Sequence, residues 1–276
     1  QNLKDSDKGK FENYDLIKGE ALGLRAYVHL DLLRLFGPVL KEGLNQKSIP
    51  YREEFSNELV TFMTAEEVLG KIEKDLLEAY TLLSDDPIKE YGRKANKNLD
   101  NKDLAFQFRG VRMNYYAVCG TLARFYQLKG NNSEALKYAQ EIIDAKEIFQ
   151  LLKRDDIMDS RGPNLMFERE LIWALHDEKI ESKMGYQLYS SYKYNIDLPT
   201  RGFIYETNGY GSVEDYRRVY WWQEVKLSTT YWILGKYART YESNTAGGTV
   251  TRKDITVWEK LLPMKMEMVI KNRLNM

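Results

Sequence analysis

Only two histidines, His29 and His176, and one cysteine, Cys119, stand among the 276 residues. That leaves little material for general-base, nucleophilic or metal-centred chemistry, since histidine is the commonest base and metal ligand. His29 lies on the polar edge of a helix-patterned stretch, and His176 follows the apolar run Leu171 to Leu175, so both read as structural. A single cysteine excludes an intramolecular disulfide and any multi-cysteine metal site. No H-E-x-x-H, Walker loop or G-x-S-x-G motif is present. The carboxylate neighbours Glu66-Glu67, Asp85-Asp86 and Asp155-Asp156 could suggest glycoside hydrolysis, which uses two carboxyl groups facing one bond. Adjacent side chains on a helix diverge, however, so these pairs read as solvated helix ends. A pair assembled from distant segments stays open at this stage. The expectation is a non-catalytic protein with no metal and no cofactor.

Binding chemistry is better represented. Of 20 tyrosines and 5 tryptophans, 11 tyrosines and 3 tryptophans fall between Tyr186 and Tyr241. Tyrosine and tryptophan offer a flat apolar face with a polar tip, which suits the C–H faces and hydroxyls of sugars. Tyr186, Tyr189, Tyr192, Tyr194, Tyr205, Tyr210, Tyr216, Tyr220, Trp221 and Trp222 sit in polar, glycine-containing sequence. The alternative is that they fill a core short of leucine and isoleucine. Within the cluster Tyr189, Tyr192, Tyr220, Trp221 and Trp222 are the ligand-binding candidates. Trp221 and Trp222 cannot point the same way in a strand or a helix, so one of the two is expected to be exposed.

These residues need a scaffold, and bulk composition bounds it. With 43% hydrophobic and 30% charged residues the composition is that of a globular protein. Lys+Arg and Asp+Glu both number 41, which gives no electrostatic pull toward nucleic acid or anionic lipid. No apolar run approaches the ~20 residues of a membrane helix.

Periodicity makes residues 19–149 helical. Gly19 to Phe36 stops at Gly37-Pro38, a strong helix terminator. Ala21, Leu24, Val28, Leu32 and Leu35 form one apolar face of it, and Leu22, Ala26, Leu30 and Leu33 a second one roughly opposite. A helix apolar on two sides is expected between neighbours in a layered stack. Thr64-Ala65-Glu66-Glu67 is a capping-box pattern opening an amphipathic helix that ends near Asp86-Pro87. Val111 to Lys129 and Ser133 to Phe149, joined through Gly130-Asn131-Asn132, read as a helical hairpin. Cys119, Leu122, Ala123 and Tyr126 face Ala135, Ala139 and Ile142 at the spacing of a tetratricopeptide repeat. After residue 150 helical periodicity fades, and short β-type runs or long loops are expected to pack on the helical layer.

Several phrases, in order, resemble one family. GEALGLRAYVHLDLLRLFGPV resembles the signature helix of SusD/RagB proteins, and Ser48-Ile49-Pro50-Tyr51 the step that follows it. TAEEVLGKIEKDLLEAY resembles the next helix, and VRMNYYAVCGTLARFYQLKGNNSEALKYAQEII the hairpin after that. FERELIWALHD resembles the E-x-I-W step. Asp215-Tyr216-Arg217 resembles the D-x-R step, an expected structural ion pair, ahead of an aromatic run and the pair Lys236-Tyr237. The resemblance spans roughly residues 19–240. Family members are usually longer, with leading helices and a lipidated N-terminal cysteine, so a fragment or truncated variant is expected.

The resemblance implies a mainly α fold: a tetratricopeptide-like helical-repeat layer over 19–149 and a loop-rich, aromatic-rich, ligand-facing part over 150–276, together one SusD-like domain. It implies an outer-membrane, cell-surface lipoprotein of a Gram-negative bacterium. Such a protein passes oligosaccharide, less often peptide, to a SusC-like TonB-dependent transporter. Two other classes stay open: a tetratricopeptide-repeat scaffold that binds peptide, and an all-α glycan-processing enzyme.

Overall fold

The computed structural model describes residues 7–10, 13–94, 106–153, 155, 158–159, 162–163, 167–175, 195–205, 215, 217–218, 222–226 and 230–234. The chain divides into two compact units, one of residues 1–150 with Leu171–Ala174 and 262–276, the other of Leu151–Glu170 with Leu175–Leu261.

The first unit is helical. Helix α1 (Tyr14–Phe36) ends where the Gly37 N–H closes on the Leu33 carbonyl at 2.8 Å and Pro38 forbids a further turn. A short α2 (Leu40–Gly43) follows, and then α3 (Ala65–Leu82). The expected capping box is formed: the Glu67 N–H donates to Thr64 Oγ1 at 3.2 Å, and the Thr64 N–H donates to Glu67 Oε2 at 2.8 Å. Along α3, Val68, Ile72, Leu76 and Ala79 are fully buried and meet Leu22, Ala26, Leu30 and Leu33 of α1 in one core. Gly19 and Gly23 set how closely α1 can pack. A methyl at Gly19 would lie 2.7 Å from Leu83 Cγ, and one at Gly23 would lie 2.8 Å from Met113 Cγ and 3.0 Å from Val118 Cγ2.

The two-sided burial expected of α1 is corrected by the structure. Leu24, Val28, Leu32 and Leu35 are 37%, 50%, 37% and 73% exposed, whereas Leu30 and Leu33 are 1%. The helix packs through one face, and the apolar pattern of the other has no partner element among the described residues.

After α4 (Ile88–Tyr91), a 3-10 turn at Arg109–Val111 leads into the hairpin of α5 (Tyr115–Leu128) and α6 (Asn132–Asp144). Helix α5 begins later than periodicity suggested and α6 one residue earlier, because an asparagine caps each one. Asn114 accepts from the Ala117 N–H at 2.9 Å, and Asn131 from the Glu134 N–H at 3.3 Å. Gly130, at φ +77, makes the left-handed step between them. Cys119, Leu122, Ala123, Tyr126, Ala135, Ala139 and Ile142 are all buried, and no strand interrupts either span. The repeat-like hairpin is thus present.

A buried ionic knot ties this unit together. Arg109 and Asp86 are both wholly buried side chains, and the guanidinium grips the carboxylate twice, Nε to Oδ1 at 2.9 Å and Nη2 to Oδ2 at 2.7 Å. The same carboxylate accepts from the Ile88 N–H at 2.8 Å and the Tyr115 N–H at 2.9 Å, and Glu20 of α1 meets Arg109 on its other side. Asp86 is therefore no solvated helix end, as its sequence context suggested. Leu171–Ala174 belongs to this unit as well: the Ala174 N–H donates to Gly110 O at 3.1 Å, and Trp173 stands edge-on to Tyr27 at 5.0 Å.

The second unit holds the β structure. Strands β1 (Met158–Asp159) and β2 (Gly162–Pro163) pair antiparallel. Strands β3 (Asn195–Ile196), β4 (Trp222–Lys226) and β5 (Thr230–Leu234) form an antiparallel sheet in the order β3-β5-β4, with Glu224 opposite Trp232. Helix α7 (Leu198–Ile204) is capped by Asp197, whose Oδ1 accepts from the Thr200 N–H at 2.8 Å.

Candidate ligand site

Capping by Asp197 starts α7 so that Arg201, one turn on, reaches the sheet. Its guanidinium carbon lies 3.5 Å from the ring centroid of Trp232 on β5, a close cation–π contact. Its Nη2 donates to the Arg218 carbonyl at 2.8 Å. Tyr205, just past α7, accepts a hydrogen bond from the Trp222 indole N–H at 2.7 Å. Arg217 sits 5.8 Å from the Tyr205 ring centroid and is tied to Asp215, Nη2 to Oδ2, at 2.5 Å. Burial pushes the Asp215 carboxyl up, and hydrogen bonds from Arg217 more than offset it, holding the group below the ordinary carboxylate value of 3.8. This is the structural ion pair expected of the D-x-R step.

Two indoles of one small sheet, the Arg201 guanidinium and Tyr205 phenol at one helix, and the Arg217 guanidinium thus gather together. Rings and guanidiniums can stack on apolar faces while N–H and O–H groups hydrogen-bond hydroxyls.

Of the five candidates read from sequence, Trp222 is here, half-buried, on β4. Tyr189, Tyr192, Tyr220 and Trp221 lie outside the described residues, as does His176. Sequence reading passed over Arg201 and Trp232. The signal for Arg201 was the Asp197-Leu198-Pro199-Thr200 helix start, which fixes its position one turn later.

In the helical unit three carboxylates anchor tyrosine hydroxyls. Glu141 accepts from the hydroxyls of Tyr80, at 2.5 Å, and Tyr115. Asp75 is held by Arg25, at 2.6 and 2.7 Å, and by the Tyr51 hydroxyl at 2.6 Å. Glu73 takes the Tyr126 hydroxyl and Lys129, both at 2.8 Å. His29 is held at both ring nitrogens: Nδ1 lies 2.7 Å from the Arg25 carbonyl, and the Arg52 N–H donates to Nε2 at 3.2 Å. Burial pushes the Cys119 thiol well above its ordinary range, which suppresses the reactive thiolate. Among the described residues no group of three or more His, Cys, Asp or Glu could hold a metal ion.

Comparison with known proteins agrees with this architecture. Residues 1–99 match the model of a SusD-like family described as "Starch-binding associating with outer membrane". A SusD superfamily protein from Bacteroides vulgatus ATCC 8482 is similar in structure, with a TM-score of 0.59 at 20% identity over 88% of this chain and 50% of that one. A SusD-like carbohydrate binding protein from the same organism gives 0.51 at 17% identity, over 77% of this chain and 41% of its own. No curated protein matches the chain. The chain spans half or less of the length of these solved structures. The SusD/RagB resemblance is borne out as a likeness: residues 1–99 are similar to a SusD-like family, and the mainly helical fold is similar to that of solved SusD superfamily proteins.

Proposed function

We propose that the chain is part of a non-catalytic, cell-surface nutrient-binding protein of the outer membrane, which hands a glycan to a TonB-dependent transporter. The SusD-like match over residues 1–99, in a family described as starch-binding and associated with the outer membrane, carries this reading. On it, both units belong to one SusD-like domain and a lipid anchor holds the full-length protein at the cell surface. The helical part meets the transporter, and the aromatic part takes the ligand. The constellation of Trp222, Tyr205, Trp232 and Arg217, with the buried Arg201 stacked on Trp232, supports the ligand role, because it supplies rings and hydrogen-bonding edges. Tyr189, Tyr192, Tyr220 and Trp221 remain candidates for the same surface.

The test is calorimetry on the full-length protein, first with starch-derived oligosaccharides and then with the hits of a glycan array. Trp222→Ala should weaken binding by roughly 1–2 kcal/mol, about tenfold per 1.4 kcal/mol, without loss of fold. A folded variant that binds like the parent would move the site away from β4. Release of reducing sugar by the pure protein would overturn the non-catalytic reading.

A further inference from the structure

One segment of the helical unit is fixed in place yet turns its apolar side chains outward. Between Tyr51 and Met63 the chain leaves the core and returns. Its base is closed by Ser48 N–H to Met63 O at 2.8 Å, Met63 N–H to Ile49 O at 3.3 Å, and a bridge between Lys47 and Thr64. Arg52 braces the loop from within, donating from Nη1 to the Ser56 carbonyl at 2.8 Å and from Nη2 to the Glu58 carbonyl at 2.9 Å. Three further contacts moor it to the helices. The Arg52 N–H reaches His29 at 3.2 Å, Arg25 Nη1 reaches the Glu53 carbonyl at 2.9 Å, and Lys71 pairs with the Glu53 carboxylate at 2.5 Å. From this braced backbone Phe55, Leu59 and Phe62 stand 90%, 99% and 63% exposed.

We propose that residues 52–62 form a preformed docking element for a protein whose surface offers an apolar socket rimmed by lysine or arginine. The loop carries one arginine against three glutamates, of which Glu54 and Glu58 are exposed beside the apolar tips. That charge complements a basic rim and opposes docking on an anionic lipid surface. A neutral sugar is the wrong occupant for its most exposed side chain, since Leu59 has no flat face on which a sugar ring could stack. Bracing fits a docking role, because a loop already held in one conformation loses little entropy when it binds. The inference rests on the function proposed above for the identity of the partner, which on that reading is the transporter.

The experiment measures binding of the full-length protein to a TonB-dependent transporter of the organism that makes it, purified in detergent. Leu59→Ser and Phe62→Ser, both at exposed positions, should each weaken binding at least tenfold with unchanged circular dichroism. Glu54→Gln combined with Glu58→Gln should slow association and flatten its salt dependence. Arg52→Ala, which unbraces the loop but keeps its tips, should weaken binding several-fold. If the parent binds and the serine variants bind equally well, the inference falls and the proposed function stands. If the parent does not bind, both fall. If Leu59→Ser instead abolishes glycan binding, the loop is a ligand contact and the docking assignment is wrong.

Discussion

Replacing Asp86 by alanine probes the buried knot of the helical unit. The carboxylate takes four hydrogen bonds, two from Arg109 and one each from the amides of Ile88 and Tyr115. Its loss takes from a wholly buried guanidinium the carboxylate that grips it twice. Breaking a buried pair in this way costs about 3–5 kcal/mol, and each orphaned amide adds on the order of 1 kcal/mol. Set against total stabilities of roughly 5–15 kcal/mol, that is enough to unfold the unit or bring it close to unfolding. Urea unfolding followed by circular dichroism reads the loss directly. Glu134→Gln is the control, since its pair with Lys137 is solvent-exposed at 3.4 Å and should contribute within about 0.5 kcal/mol. The joint replacement Asp86→Leu with Arg109→Met removes both charges and should recover much of the loss. If Asp86→Ala unfolds at the same urea concentration as the Glu134 control, the knot carries no net stability and the reasoning fails.

Three further outcomes follow from the packing. Leu30→Asp should unfold the helical unit, because an unpaired carboxylate would enter the core, whereas Leu24→Asp, on the open face, should shift the melting temperature little. Gly70→Ala, with open space around it on α3, should stabilise by about 0.5–1 kcal/mol, and Gly23→Ala should destabilise despite its better helix propensity, since its methyl would press on Met113 and Val118. Hydrogen bonds from the Thr64 backbone and hydroxyl hold the Glu67 carboxyl below its ordinary 4.5, so its contribution is present above that pH and is lost as pH falls through the lowered value. The melting advantage of the parent over Glu67→Gln at neutral pH should therefore vanish as pH falls through that lowered value.

Local signals carried most of the helical unit. Thr64 and Glu67 announced α3 because a capping box is written within four residues. The small residues Ala123, Ala135 and Ala139 announced the close hairpin because helix spacing is regular. Long-range facts were not legible in this way. Leu24 and Leu30 are the same residue type on the same helix, and only the position of α3 decides which of them is buried. Asp86 sits before a proline in a charged stretch, as a solvated residue would. Its burial depends on Arg109, which lies 23 positions away. The aromatic excess read from the sequence includes Trp222 and Tyr205, which the fold brings into hydrogen-bond contact. Arg201 escaped notice because its place over Trp232 is made by a helix and a strand meeting, which no local pattern encodes.

The tyrosine hydroxyls bound to Glu141, Asp75 and Glu73 also give the folded state an optical gauge. Burial comes first and the neighbouring carboxylates follow in pushing Tyr51, Tyr80, Tyr115 and Tyr126 above the ordinary phenol value of 10.0. A phenol that resists ionisation when folded and releases its proton readily when unfolded stabilises the fold below about pH 10 and withdraws that support above it. An alkaline titration read by tyrosinate absorbance should therefore separate into an early, gradual phase from solvated rings and a late, steep phase that includes these four along with Tyr27, Tyr116 and Tyr138, which burial also pushes up. The late phase is set by the opening of the helical unit rather than by any phenol's own acidity, so its midpoint reports stability without denaturant or dye.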